Sequence, residues 1–199
     1  MIKIIIMPIL AALSLSANAD TYGGIEGGFA SVKTNAQATA QTIANLSGSA
    51  VTYTYDKGVY VGRAYISREL DDKIAIEVGG FVSSAATNTY VLSGASALED
   101  YSATGLDVST VFKLADTGIF TKAGFHYSQA SGSTSVSIGG ATYAAKGDSS
   151  GAGLLVGIGY QAKLSEDTYW RTTYSYYDRI GGLSGVNINL LTIGILKKF

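Results

Sequence analysis

Apolar and polar residues alternate with a period of two along most of this chain, and eight stretches carry the pattern: 21–33, 58–69, 73–83, 104–114, 117–128, 150–164, 168–180 and 187–199. A period of two is that of a strand, whose successive side chains point to opposite faces. Each stretch is about the length a tilted strand needs to cross a bilayer, roughly 9 to 11 residues, and no apolar run after residue 19 is long enough for a membrane helix. The connections alternate in length. Residues 70–72, 115–116 and 165–167 are tight turns rich in Asp and Glu, whereas 34–57, 84–103 and 129–149 are long and 181–186 is intermediate. Short and long connections in alternation predict an all-β, up-and-down antiparallel barrel of eight strands, with one plain rim and one elaborated rim. The three long connections are dominated by Ala, Ser, Thr and Gly, and loops of that length are functional or mobile.

Parity within each stretch assigns the faces. In 74–78 (IAIEV) the Ile and Val residues share one face, and Glu77 shares the other with Ala75, Gly79 and Phe81. In 117–128, Ile119, Phe125 and Tyr127 oppose Lys122 and His126. The same rule puts Glu26, Arg63, Asp107, Lys113 and Arg171 on the second face. An eight-stranded barrel is just wide enough to be filled by side chains, so charges on its inner face must pair. The predicted interior network is Glu26, Glu77 and Asp107 against Arg63, Lys113, Lys122 and Arg171. Charges inside and apolar residues outside are the arrangement of a transmembrane barrel; a soluble lipocalin-like cup has the reverse. Tyr22, Tyr60, Tyr127, Tyr160, Trp170, Tyr174 and Tyr176 are expected on the outer face, where aromatics collect at membrane surfaces.

Composition sharpens this reading. There is one proline, Pro8, and no cysteine, so the strands run uninterrupted and neither a disulfide framework nor a thiolate metal site exists. Residues 1–19 carry Lys3, an apolar run and the small-x-small sequence Ala17-Asn18-Ala19, which predicts a secretory signal peptide and a mature barrel domain spanning 20–199. Removing Lys3 from the 14 basic residues, set against 15 acidic ones, leaves a formal charge of −2 and no basic run, which argues against nucleic-acid binding. One His and no Cys disfavour a metal site, no cofactor is expected, and 70–73 offers too few oxygens for Ca²⁺.

With the segments YGGIEGGFA, VYVGRAYISRELDDKIAIEVGGF and INLLTIGILKKF, the chain resembles the eight-stranded outer-membrane barrels of Gram-negative bacteria, of the OmpA transmembrane-domain and opacity-protein type. The resemblance implies short periplasmic turns, long extracellular loops, and contact with outer-membrane lipid and lipopolysaccharide. It also implies that the closing strand, with Leu191, Ile193, Ile195 and the terminal Phe199, is read by the barrel assembly machinery. Lys197 departs from that pattern, which implies either weaker recognition or a side chain that snorkels to the interface.

Function is expected to be non-enzymatic: a surface protein of the outer membrane whose loops serve envelope integrity, adhesion, or recognition of a host or phage ligand. Two alternatives are set beside it. His126 and Ser128 share a strand face, an arrangement open to a nucleophile and base, and their His-x-Ser resembles that of PagL-type lipid A deacylases. The residues that follow depart from that family, and parity points His126 into the lumen. A low-conductance porin is the other alternative, although eight strands leave no static water path.

Overall fold

The computed structural model describes residues 19–33, 36–56, 58–114 and 117–199. The predicted signal peptide, apart from Ala19, and the turn at 115–116 lie outside the described residues. The elements in chain order are β1 Thr21–Lys33, α1 Ala36–Ser47, β2 Thr52–Tyr55, β3 Gly58–Glu69, β4 Ile74–Ser83 and β5 Ala86–Leu92, then β6 Ala95–Lys113, β7 Ile119–Ile138, β8 Ala141–Lys163, β9 Thr168–Tyr177 and β10 Asn187–Lys198. A short 3₁₀ turn, Ile180–Gly182, lies between β9 and β10.

Eight of these strands close into a ring in the order β1, β3, β4, β6, β7, β8, β9, β10 and back to β1, every pairing antiparallel. Closure removes the unpaired edges that an open sheet leaves to water or lipid. The start of β1 and the end of β10 meet at the rim of short turns. The Phe199 N–H donates to the Thr21 carbonyl at 2.9 Å, and Lys198 pairs with Asp20.

Burial follows the predicted parity. Ile25, Phe29, Ile66, Leu106, Phe125, Ile158 and Ile193 stand exposed on the outer wall, with Ile25 and Phe125 each at 68%. Glu26, Arg63, Glu77, Asp107, Lys122 and Arg171 are buried inside. An apolar outer wall around a charged interior is a lipid-facing wall. Tyr22 is the exception: it shares the parity of Glu26 and is buried against Tyr65 and Leu196 at the short-turn rim, not facing outward. Tyr60, Tyr127, Tyr160 and Tyr174 are exposed on the outer wall as expected. Phe29 packs beside Tyr60 at 4.7 Å, and Tyr160 beside Trp170 at 5.5 Å, between ring centroids.

Three strands are longer than the alternation predicts. β6, β7 and β8 span 19, 20 and 23 residues, whereas β4 and β9 span 10 each. The long connections are therefore largely ladder. Residues 95–103 of β6 and 129–138 of β7 continue the barrel pairings outward, and β5 joins β6 while β2 joins β5. A sheet of five strands, β2–β5–β6–β7–β8, thus rises roughly 30 Å above the rim, at about 3.3 Å per residue. Residues 141–148 of β8 are exposed on both faces, so no apolar alternation marks them, whereas β5 buries Ala86, Asn88 and Tyr90 on one face. Helix α1, AQATAQTIANLS, draws on good helix formers and seats Ala40 and Ile43 against Tyr53, Tyr90 and Ala97.

Close approach at the β1–β10 seam fixes one glycine. A Cβ at Gly28 would lie 1.9 Å from the Leu191 carbonyl oxygen, while one at Gly27, on the outer face, meets nothing within 4 Å. Gly28→Ala is expected to destabilise the refolded barrel by on the order of 2 kcal/mol through overpacking, and Gly27→Ala to leave it unchanged. Urea unfolding of both variants in lipid vesicles, followed by tryptophan fluorescence, checks the contrast.

Candidate functional site

Inside the barrel the side chains stack in layers. At the short-turn end lie Tyr22, Tyr65 and Leu196, with Ala75, Val111 and Phe120. Above them comes the charged layer. Arg63 grips Asp107 with two hydrogen bonds, Nε to Oδ2 at 2.9 Å and Nη2 to Oδ1 at 2.6 Å, and its Nη2 also lies 2.8 Å from Glu77 Oε1. Arg171 Nη1 donates to the other Glu77 oxygen at 2.6 Å and its Nε stands 3.6 Å from Glu26. Lys122 Nζ is 3.9 Å from Glu77. Thr192 donates to Glu26 at 3.0 Å, and Tyr177 donates to Asp107 at 3.3 Å.

Three acids and three bases thus cancel in a space removed from water and lipid. Lys113, expected among them, is not there. It lies nearer the short-turn rim, pairing with Glu69, because its register position on β6 is three inward steps below Asp107.

The layer has partners that charge alone does not reveal. The Arg171 guanidinium sits 4.0 Å over the Phe120 ring, and Arg63 sits 4.5 Å over Tyr65, so aromatic faces support both cations. Small residues make room for large ones: added Cβ atoms at Gly79, Gly157 and Gly194 would come within 3.1 Å of Arg63, Lys122 and Glu26 respectively. Inward-parity glycines opposite inward-parity charges are the sequence signal for this arrangement.

Above the charges, the rings of Phe81, His126 and Tyr177 meet at centroid distances of 5.1 to 6.4 Å. His126 and Ser128 both point inward, but they do not form a nucleophile and base. His126 Nε2–H donates to the Asp178 carbonyl at 2.7 Å, and the Ser128 hydroxyl oxygen accepts the Gly181 N–H at 2.8 Å. Ser149 donates to the Gly181 carbonyl at 2.8 Å. These three side chains pin the loop between β9 and β10 inside the mouth. Arg179, at φ 52°, Gly181 and Gly182 turn that loop inward, and Ile180 is buried by it.

The uppermost layer is apolar, with Ala30, Val59, Ala86, Ala103, Ala130 and Ile188 facing Ile180. It leaves a cavity of about 300 Å³ in the mouth. Nearby, burial and the hydrogen bond and charge of Glu99 push the Tyr101 phenol up to about 12, so it is a neutral donor at physiological pH.

No protein-family model and no curated protein sequence matches the chain. Solved structures do. The attachment invasion locus protein Ail of Yersinia pestis, in complex with the heparin analogue sucrose octasulfate, superposes with a TM-score of 0.50 at 12% identity, covering 90% of this chain and 99% of that one. The fold is that of a small bacterial outer-membrane barrel. Also similar are OprG of Pseudomonas aeruginosa (13% identity, 89% and 95% of the two chains, TM-score 0.46) and Neisserial surface protein A (14%, 92% and 99%, 0.41). Fold, outer apolar wall and charged interior together make this an outer-membrane protein of the Gram-negative type. Of the residues predicted as an assembly signal, Leu191, Ile193, Ile195 and Phe199 all stand exposed on the outer face of the closing strand, with Lys197 among them.

Glu77 contacts all three cations of the charged layer, so removing its charge leaves two acids against three bases in a buried space. Glu77→Gln is expected to cost roughly 3 to 5 kcal/mol, the range for breaking a buried pair from one side. The double variant Glu77→Met with Arg171→Met, which keeps the layer neutral, is expected to recover most of that loss. Unfolding midpoints in vesicles for wild type and both variants provide the check.

Proposed function

We propose that this is a non-enzymatic outer-membrane protein whose barrel carries a surface-recognition element, and that the element is the five-stranded sheet projecting from the mouth. The supporting observation is the length of β6, β7 and β8: a barrel that only sealed or spanned the membrane has no need of strands twice as long as β9. From 141 to 148, β8 pairs only with β7, which leaves an outer edge with unused N–H and C=O groups. Lys146, Gly147 and Asp148 interrupt that edge, as protected edges commonly are.

The partner is a host, matrix or phage surface molecule. Ail was crystallised with a heparin analogue, but the long connections of this chain hold Asp56, Glu99, Asp100 and Asp148 against Lys57 and Lys146. A net charge of −2 there does not favour a sulfated polysaccharide, and a neutral or protein ligand suits the surface better. Within the same reading, residues 1–19 are a cleaved signal, Leu191, Ile193, Ile195 and Phe199 are the assembly signal, and lipopolysaccharide surrounds the outer wall. Deacylation of lipid A is not favoured, because His126 and Ser128 are committed to loop backbone inside the mouth. Conduction is not favoured either, since charged and aromatic layers fill the lumen.

Protease treatment of intact cells is expected to release peptides from 84–103 and 129–149 and none from the short turns. Replacing 87–100 and 132–147 by two-residue turns is expected to leave the barrel folded and to abolish adhesion or phage sensitivity conferred by the protein; an unchanged phenotype would sink the recognition reading. Lipid A mass spectra are expected to be the same with and without expression.

A further inference from the structure

We propose that the cavity in the barrel mouth is a binding site for a small, neutral, largely apolar molecule. Its wall is built by Val59 of β3, Ala86 of β5, Ala103 of β6, Ala130 of β7, Ile188 of β10 and the inward-turned Ile180. Thr39 of α1 reaches it, as do Ser83, Ser102 and Ser184. No charged side chain lines it among the described residues, so a charged guest loses its hydration without gaining a counter-ion. The hydroxyls offer a hydrogen bond to one polar group of a guest.

The volume decides the size of the guest. An apolar cavity of about 150 Å³ takes up one benzene. The mouth cavity, at about 300 Å³, therefore holds about a dozen non-hydrogen atoms, the scale of a two-ring aromatic or a short terpenoid.

The choice of wall residues separates a site from an accident of packing. Interiors are filled to crystal-like density, and one layer below this barrel achieves it with Phe81, Leu155 and Tyr177, all buried in the same apolar cluster. At the cavity, three strands each turn an alanine toward the shared space. Filling the mouth needs only larger residues at those three positions. The loop pinned by His126, Ser128 and Ser149 holds Ile180 rigidly as the opposite wall, so the space does not close by collapse of that side.

The test uses the full mature chain in lipid nanodiscs with 1-naphthol as the probe, read by methyl NMR. Saturable shifts are expected at Val59, Ala103, Ala130, Ile180 and Ile188, with none at the lipid-facing Ile25 and Ile193. Ala103→Leu is expected to weaken the apparent affinity at least tenfold. Should that variant not fold by circular dichroism, Ala86→Leu, which fills the space from a different strand, replaces it with the same expectation. Two results overturn the proposal: shifts that rise linearly and equally at Ile25 and Ile193, which mean partition into lipid, or an affinity unchanged in a folded filled variant.

Discussion

Everything in this barrel follows from having to fill a narrow tube whose walls alternate. Eight strands enclose a space just wide enough for side chains to fill, and the lipid outside claims the apolar parity. The inner parity is then left with polar residues, which no water solvates. Three acids and three bases in one layer are a solution to that constraint, because their charges cancel and each carboxylate accepts from at least one donor on another strand. The ties between β1, β3, β4, β6, β7 and β9 are therefore electrostatic inside and hydrogen-bonded in the wall.

Neutrality of the layer also sets what surrounds it. The guanidinium groups pack over Phe120 and Tyr65 on the short-turn side, and the rings of Phe81, His126 and Tyr177 cover the other side. The upper layers can then be apolar, since no charge remains to be solvated from above. An apolar mouth over a neutral plug leaves a chamber above the charged layer.

Much of this was legible in the chain. Alternating parity located the eight transmembrane segments and put Glu26, Arg63, Glu77, Asp107, Lys122 and Arg171 on one face, because lipid outside and a crowded lumen inside leave little freedom at those positions. Lys113 shared the parity but not the height, and parity carries no information on height until the strand register is known. The residue type of Tyr22 suggests the outer belt, although its own parity matches that of Glu26. The projecting strands lack a repeating apolar side for a different reason: 141–148 of β8 is exposed on both faces, and the side that β5 buries sets Asn88 between Ala86 and Tyr90. His126 and Ser128 showed their shared face but not their partners, which come from a loop 52 and 53 residues further on.

The continuity of β6 and β7 bears on mechanics. Their pairing runs without a break from Ala95 opposite Ile138, at the tip, to Lys113 opposite Phe120, at the short-turn rim. A pull on the tip along the barrel axis loads that ladder in shear, so its rungs share the force and must fail together rather than one at a time. The projection is thus a stiff mast stepped through the deck of the membrane, and a load on its tip is passed directly to the wall of the barrel.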